Sequence, residues 1–168
     1  MTLEIALEAD EEWDSCRSWE PLVREALEAA VAESAFPQLS ASDRPVEVSV
    51  LLTGNDQVRR LNAEWREKDT PTNVLSFPMI DPEDLRHANV AGPELLLGDI
   101  VLAHGVCASE AAEKGLSVEQ HATHLLVHGT LHLLGYDHHD DVEAAEMERR
   151  EIRALERLGI ANPYEVAA

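Results

Sequence analysis

The chain has 168 residues, of which 45% are hydrophobic and 27% charged, a size and balance that suit one globular domain rather than a disordered protein. A net charge of −20, from 13 Lys and Arg against 33 Asp and Glu, excludes a broad phosphate-tracking surface, because non-specific nucleic-acid affinity comes from cations neutralising phosphates. No stretch approaches the roughly 18 consecutive apolar residues of a membrane span, the acidic start "MTLEIALEADEEWD" lacks the layout of a secretory signal, and Cys16 and Cys107 make no disulfide framework, so a cytoplasmic protein is expected.

"TLEIALE" (2–8) alternates, with Leu3, Ile5 and Leu7 on one side, which is strand period. "SWEPLVREALEAAVAES" (18–34) reads as a helix: Ser18 can cap it, Pro21 is tolerated in its first turn, and Leu22, Ala26, Ala29 and Ala30 recur at helical spacing. A loop (36–45) leads to a second alternating strand, "VEVSVLL" (46–52). "NDQVRRLNAEWREK" (55–68) is predicted helical, with Val58, Leu61 and Trp65 on one face. "TPTNVLSFPM" (70–79) is a short strand fenced by Pro71 and Pro78, and 81–94 is a polar loop. The apolar run "LLLGDIVLA" (95–103) suits a central strand, and helices are predicted over 104–114, 118–134 and 141–158. No repeat or interdomain linker interrupts residues 1–168. The order of elements predicts a single α+β domain, with a small mixed sheet of about four strands and helices packed on it.

Four of the eight histidines fall in "VHGTLHLLGYDHH" (127–139). His128 and His132, four residues apart on a helix, share one face, so both imidazoles can reach one ion. Gly135, just past the helix end, can turn the chain back and present His138. The spacing is that of the long zincin signature, which places a three-histidine site at the end of a central helix and leaves a fourth position for water. Each histidine alone would more often be a satisfied core residue; three at ligand spacing point to metal. His124, one turn earlier, suits packing or support of a ligand, His139 suits solvent, and His87, His104 and His121 carry no signal. Asp137 can fix a ligand or move protons, or simply make the turn.

One residue departs from the signature. Gly129 stands where a peptide-cleaving zincin carries its general-base Glu. Peptide cleavage needs that base to serve a poor amine leaving group. A phosphodiester has an oxygen leaving group, and its charge can be met by metal and arginine. Gly129 therefore argues against a protease and is compatible with phosphodiesterase chemistry.

"HGTLHLLGYDH" (128–138), "LNAEWREKDTPTNVLSFP" (61–78) and "LLGDIVL" (96–102) together resemble the YbeY family of endoribonucleases. The resemblance covers most of residues 50–140 and little of 1–45. It implies a metal-dependent, zinc-binding enzyme of single-stranded RNA, acting at the 3′ end of small-subunit rRNA and in ribosome quality control. It also implies ribosomal small-subunit proteins and the GTPase Era as partners. His128, His132 and His138 correspond to its zinc ligands, and Arg66 to an arginine implicated in activity. A guanidinium has the chemistry to clamp a phosphate oxygen, although an arginine on a helix surface needs no function. Thr72, Asn73 and Ser76 are polar candidates for the same cleft; many relatives carry Asp where Asn73 stands. Trp65, in place of a family tyrosine, can pack or stack on a base. Two alternatives stay open: a metal hydrolase of another substrate, and a non-catalytic ribosome-assembly factor with a structural metal, which a fourth protein ligand such as His124 would favour.

Overall fold

Among the described residues, four strands, β1 (Glu4–Ala9), β2 (Val46–Thr53), β3 (Val74–Pro78) and β4 (Leu95–Ala103), form one sheet in the order β1-β2-β4-β3, with β2 alternating and β4 a nearly continuous apolar run. The structure, a computed structural model, describes residues 3–13, 18–41, 44–86 and 93–164; Cys16 and His87 lie outside the described residues. β1, β2 and β4 run parallel, and β3 lies antiparallel on the β4 edge. The expected small mixed sheet with helices on it is therefore what forms.

The described residues also form six helices: α1 (Glu20–Ala32), α2 (Asn55–Arg66), α3 (Pro82–Leu85), α4 (His104–Lys114), α5 (Val118–Leu133) and α6 (Asp141–Arg157). Two expected loops carry short helical turns instead: a 3-10 turn at Pro37–Ala41, which buries Leu39, and α3, which buries Leu85. α1 starts at Glu20, behind Trp19, so the expected Ser18 cap is not used. Trp19 is buried edge-to-face on Trp13, with ring centroids 5.1 Å apart, and this packing fixes the helix entry.

One face of the sheet carries the main core. Val48, Val50 and Leu52 of β2 and Ile100 and Leu102 of β4 meet Val23 and Leu27 of α1, Leu126 and Leu131 of α5, and Leu155 of α6. The opposite face carries a smaller cluster, in which Val58 of α2 meets Leu75, Val101 and Ala103. The Leu61 side chain is only partly buried, and Trp65 is 66% exposed, so the expected apolar face of α2 buries at Val58 and opens toward its C-terminal end.

A register shift between Glu47 and Val48 puts Gly98 at φ 143°, where a β-carbon would lie 2.3 Å from the Phe77 carbonyl. Only glycine lets β3 pair this closely at that point. The chain reverses after α2 through Glu67, in the left-handed region at φ 59°. Asn62 Nδ2 then donates to the Thr70 carbonyl (2.8 Å), tying the loop that leads into β3 to α2. These two features bring the end of α2 beside the outer edge of the sheet.

Candidate metal centre

α5 begins with a capping box. Ser117 Oγ accepts the Gln120 amide, and Gln120 Oε1 accepts the Ser117 amide, both at 3.1 Å. The helix packs on β3 and β4 and against α1, α4 and α6, so most of its residues are buried whatever their position on the helical wheel. It ends in a Schellman motif: the Tyr136 amide donates to the Leu131 carbonyl and the Gly135 amide to the His132 carbonyl, both at 3.0 Å, with Gly135 at φ 96°. Tyr136 pins the turn. Its hydroxyl accepts the Ala35 amide (2.9 Å), and the Arg150 guanidinium lies 5.1 Å from its ring centroid. Three residues beyond Gly135, the chain presents His138, as the glycine spacing implied.

His128, His132 and His138 each offer a ring nitrogen within 4.8 Å of the others. The Nε2 atoms of His128 and His132 are 3.0 Å apart, near the edge of about 3.3 Å expected for nitrogens held at 2.0–2.1 Å around a tetrahedral ion. The remaining nitrogens of these two rings face acceptors. His132 Nδ1 is 2.9 Å from the Tyr136 carbonyl, and His128 Nδ1 meets Glu151 Oε1. Both partners select the Nδ1–H tautomer, which leaves each Nε2 lone pair free for a metal. Burial, and then the neighbouring His128, lower the His132 pKa to about 4, so this ring is neutral at pH 7. The donor set fits a divalent ion of the zinc type.

Glu151 is the functional residue that the sequence reading missed. It is fully buried on α6. Its carboxylate is held by His128, by the Tyr164 hydroxyl, which donates to Oε2, and by His124 Nε2 at 3.4 Å. Burial alone would raise its pKa, but the hydrogen bonds from His124, His128 and Tyr164 outweigh it and hold the acid at about 2. A signal was present: Glu151 follows Met147 by four residues and precedes Leu155 by four, which places an acid on the apolar stripe of an amphipathic helix. His124 is buried and turned to this carboxylate, so it supports the site and is not a fourth ligand of the cluster.

The imidazoles open onto a cavity of about 810 Å³ lined also by Arg66, Asn73, Ser76 and Asp137. Arg66 comes from the last turn of α2. It donates to the Ser76 carbonyl (2.9 Å), and its Cζ lies 5.8 Å from the Phe77 ring centroid. Among the described residues it is the one Lys or Arg on the cavity wall. Asn73 lines the cavity, but its amide is engaged with Glu110 (3.0 Å) and with the Val74 N–H (2.7 Å). Thr72 is not on the wall. Asp137 Oδ1 accepts the His138 amide (2.8 Å), and Oδ2 lies 2.8 Å from His139 Nε2. Burial works against its ionisation, but the His138 amide and the neighbouring imidazoles hold its pKa below the usual carboxylate value, so it is charged at neutral pH. His139 is 80% exposed, as expected.

The missing glutamate has a structural counterpart. Gly129 is buried where α5 crosses the sheet, and a β-carbon there would lie 3.1 Å from Ile100 Cγ2 and 3.2 Å from Ser76 Oγ. Helix and sheet approach too closely at this point to admit a side chain without a shift.

A family model described as Endoribonuclease YbeY matches residues 5–159. An Endoribonuclease YbeY of Zymomonas mobilis is 52% identical over 163 residues, covering 95% of this chain and 93% of its own. One of Rhizorhabdus wittichii is 48% identical over 165 residues, covering 98% of each. A solution structure of a Thermotoga maritima protein shares the fold, with a TM-score of 0.53 and 22% identity over 96% of this chain and 99% of that one. The likeness thus takes in most of the first 45 residues, where the sequence motifs were weakest.

Proposed function

The chain belongs to the endoribonuclease YbeY family, a family of RNA-cleaving hydrolases, and on that premise we propose that it is a zinc-dependent, single-strand-specific endoribonuclease of small-subunit rRNA 3′-end maturation and ribosome quality control. Residues 1–168 would act as one such domain in the cytoplasm, with small-subunit ribosomal proteins and the GTPase Era as partners. Among the described residues no helix is long and apolar enough to cross a membrane.

The observation that carries this reading is the convergence of three imidazole nitrogens and one guanidinium on a single cavity. His128, His132 and His138 would hold the ion, which when bound supplies a Lewis acid and a water of lowered pKa. Arg66 would clamp a phosphate oxygen and meet the charge that builds on phosphorus. Its position is prepared by the Ser76 carbonyl, which holds the guanidinium at the cavity edge. Asp137, ionised and bonded to the His138 backbone, would fix that ligand's loop and accept a proton. In a chain of net charge −20, a metal and Arg66 are the means of making this cavity attractive to an anionic strand, and a partner is the means of bringing the strand in.

His124 faces Glu151 rather than the three nitrogens, which disfavours a closed structural site with four imidazoles. The test is cleavage of a small-subunit rRNA precursor by purified zinc-loaded protein, with and without chelator. Zinc-restorable cleavage is expected. Equal cleavage after complete metal removal would overturn the proposal.

A further inference from the structure

On the sheet face opposite α1, α5 and α6, a second cavity of about 640 Å³ runs beside α2. Its walls are largely apolar, with Leu61, Phe77, Met79 and Val101, and Trp65 stands at its rim. Trp65 is 66% exposed and Met79 61%, an unusual exposure for two large apolar residues lining one groove of a strongly charged protein. The groove adjoins the metal cleft: Pro78 and Met79 line both. Arg66, next to Trp65 in sequence, sits on the ridge between them, bonded to Ser76 of the cleft and lying against Phe77 of the groove.

The charged residues on the groove wall are both carboxylates, Glu8 and Asp99. A phosphate is therefore repelled, whereas a nucleobase offers apolar faces to Trp65 and Phe77 and N–H donors to a carboxylate. We propose that this groove is a nucleobase subsite: it receives the unpaired base next to the scissile phosphate, stacked on Trp65, while Arg66 holds the phosphate on the ridge. The inference rests on the endoribonuclease reading above and deepens it. It gives a physical source for single-strand selectivity, since a base paired and stacked in a duplex cannot turn into the groove.

Trp13 and Trp19 are buried, so a change in tryptophan emission on ligand binding reports on Trp65. Zinc-loaded protein titrated with a short single-stranded RNA should show quenching, and the same ribose-phosphate backbone with abasic sites should not. Trp65→Ala should raise KM for single-stranded RNA roughly 5- to 150-fold, the range for losing one stacked base, with zinc content unchanged. Trp65→Phe, which keeps a ring, should recover most of the loss. An unchanged KM in Trp65→Ala, with normal cleavage, would overturn the subsite alone and leave the groove to a protein segment. Equal quenching by abasic and normal RNA would also overturn it. Failure of the wild-type zinc protein to bind or cleave RNA would remove both the subsite and the nuclease reading.

Discussion

Glu151 of α6 accepts a hydrogen bond from Nδ1 of His128 on α5, across 23 residues of sequence, and thereby turns the other nitrogen of that ring toward His132. Glu151→Gln keeps the shape of the side chain but weakens the acceptor and lets an amide N–H face the ring. The variant should bind zinc about 10- to 100-fold more weakly, the usual effect of losing such a partner. Competition against a zinc chelator measures this without reference to activity. Tyr164→Phe, which removes a donor to the same carboxylate, should change affinity in the same direction and by less. An unaltered zinc affinity in Glu151→Gln would mean that the carboxylate does not set the ring.

The same carboxylate predicts how the metal-free protein responds to acid. Its pKa falls from an ordinary 4.5 to about 2 on folding. Between these values the unfolded chain holds a proton there that the folded chain lacks, so stability rises with pH across the window. The contribution is complete above about pH 4.5 and is lost as pH falls toward 2. Thermal midpoints of metal-free wild type and Glu151→Gln, compared through that range, should converge toward the acid end. A difference that stays constant with pH would refute the assignment.

Arg66→Ala should lose RNA cleavage by about 10²–10³-fold, or about 2.7–4 kcal/mol of barrier stabilisation, with zinc content and circular dichroism unchanged. Arg66→Lys should recover only part, because an ammonium keeps the charge without the planar fork. Single-turnover cleavage rates measure both. Normal turnover in Arg66→Ala would strip the site of its assigned phosphate contact.

Gly129→Glu restores the protease signature in sequence, yet neither peptide hydrolysis nor better RNA cleavage is expected. The new side chain meets Ile100 and Ser76 at the helix–sheet contact, so overpacking should cost about 1–3 kcal/mol of stability, read as a lowered unfolding midpoint. Chelator-sensitive peptidase activity in this variant would contradict the reading of Gly129.

Periodicity and ligand spacing made much of this protein legible. The bounds of α4, α5 and α6 and the Gly135 turn followed from helical period and the i, i+4 histidines, because those signals are local. Trp65 broke the pattern: it continues the apolar face of α2 by spacing, but the sheet beneath it is left open, and only the strand order reveals that. Glu151 was hidden for a related reason. Its place on the apolar stripe of α6 is a local signal, but its partner is not: that α6 packs on α5 beside His128 is a long-range contact that no local window encodes. The cavity itself, drawing on α2, β3 and the turn after α5, is a product of topology.

Synthesis runs from the N-terminus, so all three imidazoles are made before the carboxylate that aligns the first of them, which follows His128 by 23 residues. A nascent or truncated chain that stops between His138 and Glu151 carries all three imidazoles but not the group that orients His128. If the three imidazoles hold an ion, capture at full affinity would wait for α6 to dock. In the proposed zinc enzyme, competence to cut RNA would then be tied to completion of the fold.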